Sequence, residues 1–329
     1  MSTSLSYHEQ LEGAIAFIQR YNSFLVVAHE QPDGDAISSC SAMTWLLEQY
    51  NKQVIIINES ELPGRLSYLY QYDNIKRFNR EVSLQFDAVI ALDCADYSRL
   101  GEVRTLFTSE VTPLLNIDHH PTNNEFGTLN IIRPHAAATV EIIYDLIKYA
   151  NLTPNLPCAI ALYTGLLTDT GGFRYSNTSP EVMAMASELL ALGVSAYELA
   201  DHLLEKMTYA RLKLLQTLLA RISFSEDHRI GWVSVMHDDL ATCGAVPEDL
   251  EGIVNYVLNV DSVEVGILFK QNEAGLVKAS IRSAGKVDVA SVAHSFGGGG
   301  HVRAAGCKMN EDMNNSIETL VGAIRKALT

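Results

Sequence analysis

Ser23-Phe-Leu-Val-Val-Ala28 runs straight into His29-Glu-Gln-Pro-Asp33-Gly-Asp35, and Ala36 then opens a helical pattern that continues to Tyr50. An unbroken apolar run that stops at a turn and is followed by a helix is the repeating unit of an α/β domain. The unit recurs along the first half of the chain. Candidate strands at residues 53–58, 87–92, 112–117 and 127–132 are joined by helical patterns at 138–149, 156–167 and 180–191. Strands that are apolar throughout belong in a parallel sheet covered on both faces. The expected fold class is α/β, with an open, mostly parallel sheet whose ligands bind outside the carboxyl ends of the strands.

Polar residues collect where these elements stop. Asp93 follows Ala88-Val-Ile-Ala-Leu92, and Asp118-His119-His120 closes the run Val111-Thr-Pro-Leu-Leu-Asn-Ile117. Asp169, in Thr168-Asp-Thr-Gly-Gly172, ends an apolar helix. Each segment alone has an ordinary explanation: Asp35 as a helix N-cap, Asp33 as a turn residue, Asp93 and Asp169 as loop or cap residues, one histidine at the surface and one in the core. Convergence changes the balance. Carboxylates of Asp33, Asp35, Asp93 and Asp169 brought within about 4 Å would repel by roughly 4 kcal/mol per pair at an effective dielectric near 20. Two divalent cations remove that cost. Carboxylate and imidazole ligands without thiolates suit Mn2+ best, with Mg2+, Co2+ and Zn2+ as further candidates.

The second half has a different pattern. Residues 195–222 read as one long or two consecutive helices, rich in Leu and Ala, and form the expected connector. Beyond it, strands at 230–236, 263–270 and 276–281 with helices at 248–258, 289–295 and 316–327 indicate a smaller α+β domain. The division expected is thus 1–194, a helical connector at 195–222, and 223–329. A run of glycines, Gly297–Gly300, leads directly into His301.

Composition narrows the partners. At 329 residues the chain is long enough for two cores, and no stretch approaches the roughly 20 apolar residues that span a bilayer, so no membrane partner is expected. The formal net charge of −15 argues against tracking long duplex nucleic acid, because phosphate contacts need a basic face. Five scattered cysteines suggest neither a disulfide framework nor a zinc site, and the Met1–Tyr21 segment has no signal-peptide pattern. The compartment expected is a reducing cytoplasm. Apolar surface on the connector is compatible with a homodimer.

The four acidic segments together resemble the DHH phosphoesterases, and Phe296-Gly-Gly-Gly-Gly-His301 with Ala279-Ser-Ile-Arg-Ser283 resembles the DHHA1 substrate domain associated with them. Size and order are similar to the nano-RNase/pAp-phosphatase (bifunctional oligoribonuclease) subgroup. The resemblance implies one metal on His29, Asp33 and Asp93, and a second on Asp35, Asp93, His119 and Asp169, with Asp93 between them. It implies that Asp118 orients a neighbouring ligand and that His120 faces the substrate phosphate. Arg282, Ser283, Gly298, Gly299, Gly300 and His301 would bind the substrate, the glycine amides forming an anion nest. The activity implied is hydrolysis of short oligoribonucleotides to mononucleotides, or of 3′-phosphoadenosine 5′-phosphate (pAp) to AMP, by a hydroxide activated between two cations. The alternative at the same residues is a cyclic or linear dinucleotide phosphodiesterase, or an exopolyphosphatase.

Overall fold

The computed structural model describes residues 6–80, 84–108 and 111–328, so Met1–Leu5 of the N-terminal segment lie outside it. The chain divides into two compact units, Met1–Lys206 and Met207–Thr329.

The first unit is built on a six-stranded parallel sheet: β1 (Ser23–Ala28), β2 (Gln53–Asn58), β3 (Ile75–Arg77), β4 (Ala88–Leu92), β5 (Leu114–Asp118) and β6 (Leu129–Ile132). The strands lie in the order β3-β2-β1-β4-β5-β6. The order reverses between β1 and β4, because the chain leaves β1 toward one edge and later returns to build toward the other. A parallel sheet opens a crevice at such a switch point, outside the carboxyl ends of the two strands.

Alternate strand residues face two cores, which is why the strands read as apolar throughout. Phe24, Val26, Ile90, Ile117 and Ile131 pack under helices α1 (Tyr7–Arg20), α2 (Gly34–Gln49), α3 (Thr139–Tyr149), α4 (Leu156–Asp169) and α5 (Pro180–Ala191). Leu25, Val27, Val89, Ala91 and Leu114 face the opposite core. That side is closed by Leu100, Val103 and Phe107, from the 3-10 segment Tyr97–Leu106 and the residue after it, and by Cys94. On α1, Leu11, Ala14, Ile15 and Ile18 recur at helical spacing and form its buried face.

α2 is the axis of the unit, buried without a break from Gly34 to Leu47. It crosses α4 closely because glycine stands at the crossing on both helices. A Cβ on Gly34 would lie 2.4 Å from the Thr168 side chain, and one on Gly165 would lie 2.7 Å from both Asp35 Oδ1 and Val140.

The second unit holds a mixed sheet in the order β11-β12-β10-β9-β8-β7. Its strands are β7 (Ser223–Phe224), β8 (Ile230–Val235), β9 (Val265–Gln271), β10 (Val277–Ser283), β11 (Gly299–His301) and β12 (Ala304–Met309). Only β8 and β9 pair in parallel. One face packs on α10 (Val289–His294) and α11 (Met313–Leu328). The other packs, over part of its width, on α7 (Tyr209–Leu219), α8 (Asp239–Cys243) and α9 (Ile253–Leu258). Within residues 195–222, α6 (Ala196–Ala200) and a π turn at Asp201–Glu205 place Leu199 and Leu203 in the first unit's core. α7 places Leu214, Leu215 and Leu218 in the second. Among the described residues no single helix is long and apolar enough to cross a membrane.

Gly165→Ala is expected to destabilise the first unit by about 1–3 kcal/mol, since the added methyl would lie 2.7 Å from the fully buried Val140 and Asp35 side chains and force them to shift. Gly64→Ala, where nothing lies within 4 Å, is the control and should stay within about 0.5 kcal/mol. Urea denaturation of the two variants measures the difference.

Candidate metal centre

The switch point gathers the polar residues. His29 directly follows β1 and Asp93 directly follows β4, the two strands that border the crevice. Asp118 is the last residue of β5, and His119 and His120 follow it. Asp33 and Asp35 open α2, and Asp169 is the final residue of α4.

Asp93 is the centre of the arrangement. It is 2 % exposed, and its backbone lies in the left-handed region at φ +53°, an uncommon state for a residue with a side chain. Its two oxygens face different neighbours. Oδ2 is 3.5 Å from His29 Nε2, which is itself 3.9 Å from Asp33 Oδ2. Oδ1 is 3.5 Å from His119 Nε2, which is 3.4 Å from Asp169 Oδ2. Oδ1 also accepts a hydrogen bond from Thr139 Oγ1 at 2.9 Å. Potential ligand atoms therefore fall into overlapping groups: His29 with Asp33 and Asp93, Asp35 with His119 and Asp169, and Asp93 with His119 and His120.

The surroundings fix each group. His29 Nδ1 is 2.8 Å from the Glu30 carbonyl, which holds the proton there and turns Nε2 toward the carboxylates. His119 Nδ1 lies 3.3 Å from the Ala136 carbonyl and is aimed in the same way. Asp33 is the N-cap of α2, accepting from Ala36 N through Oδ1 and turning Oδ2 to His29. The cap is thus Asp33 rather than Asp35. Asp35 is fully buried and accepts from the amides of Thr139 (2.6 Å) and Val140 (3.2 Å). α3 has alanine at its own N-cap position and no side-chain cap, so Asp35 closes that helix from a neighbouring one.

Asp118 contacts His120, not a residue of the His29 or Asp169 groups: its Oδ1 is 2.7 Å from His120 Nδ1. Its Oδ2 accepts from Asn123 Nδ2, which also donates to Asn116 Oδ1 and to the Cys94 carbonyl. Asn123, Asn116 and Thr139 carry no signal as single letters. They become visible only when the sheet brings β4, β5 and α3 together. His135 is exposed.

Charge in the crevice is out of balance. Burial, and then the charges of Asp93 and Asp33, push Asp35 well above the usual carboxylate range despite its two amide bonds. Burial and the charges of Asp35, Asp33 and Asp93 do the same to Asp169, which also sits at the negative end of α4. Burial opposes ionisation of Asp93 too, but the His29 hydrogen bond and the imidazoles of His119, His29 and His120 outweigh it and hold it below its ordinary value. Burial lowers His29, yet its hydrogen bond to Asp93 and the charges of Asp93 and Asp33 leave it raised. Burial pushes the Cys94 thiol up to about 12, which keeps it protonated and out of any ligand set. Imidazole and carboxylate donors in overlapping groups about Asp93 fit a pair of divalent cations.

The substrate residues expected in the second unit lie on its sheet, apart from Gly298, which directly precedes β11. Arg282 (β10), Ala304 (β12) and His301 (β11) are successive partners in one cross-strand row. Ser283 is buried, and its Oγ accepts from Gly285 N at 3.0 Å. Gly298 N donates to the Ala293 carbonyl at 2.9 Å, closing the end of α10, so this amide of the expected anion nest is engaged. A Cβ on Gly298 would lie 2.2 Å from the Gly306 carbonyl, and one on Gly300 2.5 Å from that of Ala304, whereas Gly299 has nothing within 4 Å.

Comparison with known proteins agrees with this architecture. Residues 23–166 match the DHH family, N-terminal domain, and residues 237–329 match the DHHA1 domain. The chain is 34% identical, over 92% of its length and 90% of the relative's, to the bifunctional oligoribonuclease and PAP phosphatase NrnA of Thermus thermophilus. An exopolyphosphatase-related protein from Bacteroides fragilis superposes with a TM-score of 0.90 at 24% identity, covering 99% of this chain and 98% of that one. RecJ of Thermus thermophilus, in complex with Mn2+, superposes with a TM-score of 0.56 at 14% identity, covering 99% of this chain and 56% of RecJ.

Two outcomes are expected. Metal affinity should rise with pH between about 5 and 8, with protons released on loading, because the raised His29 must lose its proton before Nε2 can bind a cation. Isothermal titration calorimetry in buffers of different ionisation enthalpy measures both, and a pH-independent affinity would contradict the assignment. Asn123→Ala, which removes a donor to buried Asp118, should reduce metal-dependent turnover by about 10–100-fold with the fold intact by circular dichroism.

Proposed function

The chain belongs to the DHH family and carries a DHHA1 domain, and we propose that it is a two-metal phosphoesterase that hydrolyses short oligoribonucleotides to mononucleotides and pAp to AMP. The observation that supports this most directly is Asp93, buried at the switch point with one oxygen toward each of two ligand groups. The substrate class rests on likeness to the Thermus relative over nearly the whole of both chains.

In this reading His29, Asp33 and Asp93 hold one cation, and Asp35, Asp93, His119 and Asp169 the other, with Mn2+ the ion of choice for the mixed oxygen and imidazole set. When bound, the cations supply an activated water nucleophile and neutralise charge on the phosphoryl oxygens. The chain's own residues do the rest. His120 is held through Nδ1 by Asp118, and Asp118 is braced by Asn123, so the ring is fixed before substrate arrives. Hydrogen bonding to Asp118 and the charge of Asp93 raise His120 against its burial, which favours the protonated ring, the form that donates to a phosphoryl or leaving oxygen. Arg282 and His301, in one row of the second sheet, bind the substrate's non-scissile phosphate together with the backbone of Gly299 and Gly300. The small ligand required is a single strand or a nucleotide, in keeping with the acidic chain. Five free cysteines suit a reducing cytoplasm. In the second unit the exposed Tyr209 and Leu212 of α7 suit self-association as a homodimer.

The test is turnover with added Mn2+ on pAp, on ribonucleotides two to five residues long, on a cyclic dinucleotide and on polyphosphate. Release of AMP and mononucleotides is expected; cleavage confined to the last two would replace the proposed substrate. Substituting both Asp33 and Asp35 by Ala should abolish turnover on all of them, and retained activity would refute the ligand assignment.

A further inference from the structure

The outward rows of the second sheet carry a feature that neither the metal centre nor the Arg282–His301 row explains. Lys270 on β9 pairs with Lys278 on β10, and Lys278 pairs with Lys308 on β12. Paired residues on neighbouring strands share a face, so three lysines stand in a line across three strands about 4.8 Å apart. Neighbouring residues Val277, Ala279, Ile281, Ala305, Cys307 and Met309 point into the core under α10 and α11, which sends the lysines to the opposite face. Lys278 and Lys308 are exposed, Lys270 is half-buried, and none takes part in an ion pair among the described residues.

Like charges directly opposite each other destabilise a sheet. A lysine on a stretch of strand with no neighbour on one side protects against edge-to-edge pairing, which would account for Lys308, since β11 pairs with β12 only at Ala304–Gly306. It does not account for Lys278 or Lys270, whose strands are hydrogen-bonded on both sides. Nor is a surplus of lysine a general property of this chain, which has 39 acidic residues against 24 Lys and Arg.

The lysine row also has a direction. Arg282 lies four positions further along β10 than Lys278, about 13 Å away, on the same face. The row between them is Leu268, Ser280, Gly306 and Gly299; Leu268 is buried in the core beneath α7 and α9, so the path from Arg282 to Lys278 runs over nearly bare backbone on the β12 and β11 side. A mononucleotide held at Arg282 leaves the lysines untouched. A strand of roughly four stacked nucleotides at about 3.4 Å each reaches them.

We propose that the Lys270–Lys278–Lys308 row binds the phosphodiester backbone of an oligoribonucleotide several residues beyond the end held at Arg282, and so sets how strongly longer substrates are preferred. The proposal rests on the reading of Arg282 as the residue that grips the substrate end. Its signature is length selectivity: substrates too short to reach the row bind without it.

The test uses the full chain with Lys278 and Lys308 both changed to Gln. Binding of a fluorescein-labelled ribohexanucleotide by the metal-free protein, followed by anisotropy over a range of salt, should weaken by about 10-fold. The slope of log affinity against log salt should become shallower by about 1.4, at about 0.7 for each phosphate that is no longer neutralised. In the Mn2+-loaded enzyme KM for pAp and for a diribonucleotide should stay unchanged, and changing both lysines to Arg should preserve hexanucleotide binding. Unaltered hexanucleotide affinity and salt slope would overturn the proposal, as would equal losses on pAp and the hexanucleotide. Absence of turnover on every substrate would count against the phosphoesterase reading instead. The anisotropy titration needs no turnover and decides the lysine row in either case.

Discussion

Repulsion among buried carboxylates is the constraint around which the first unit is organised. Asp33, Asp35, Asp93 and Asp169 are delivered to one crevice by separate ends of secondary structure. The fold counters their repulsion with whatever positive or hydrogen-donating groups it has: the imidazoles beside Asp93, the Thr139 hydroxyl, and the first amides of α3 and α2. These suffice for Asp93 and not for Asp35 or Asp169, which remain disposed to take up protons. The deficit has the sign and the location that divalent cations remove.

Close packing follows from the same constraint. Asp35 and Asp169 come near each other only because α2 and α4 cross at Gly34 and Gly165, where a methyl group on either helix would collide. The left-handed backbone of Asp93 is similar: it bends the chain sharply after β4 so that the side chain turns back over the strand ends. Stability is given up locally to place charge, and the two large apolar cores of the unit support the loss.

Much of this is legible in the sequence because the parallel sheet leaves a simple imprint. Strands buried on both faces read as continuous apolar runs, and the residue after each run is the one the crevice receives. His29, Asp93 and Asp118 are locatable on that basis. The short strands β3, β7 and β11 are not, since two or three residues carry no periodicity. The glycine run before His301 reads as a loop or anion nest. It includes a strand edge whose glycines also answer to the nearness of β12. The support beneath Asp118 and the capping of α3 by Asp35 are hidden for a different reason. Both join residues far apart in the chain, Asp35 with Thr139 and Asn123 with Cys94, and no local pattern encodes such pairs.

That long-range cap ties a helix to the electrical state of the crevice. Asp35 as a carboxylate accepts strongly from the Thr139 and Val140 amides; as a neutral acid it accepts weakly. Thr139 also hydrogen-bonds Asp93, so the first turn of α3 touches two of the buried carboxylates at once. The amide resonances of Thr139 and Val140 therefore form a built-in gauge. Their chemical shifts and hydrogen-exchange protection report, from within the backbone, how much positive charge the crevice holds.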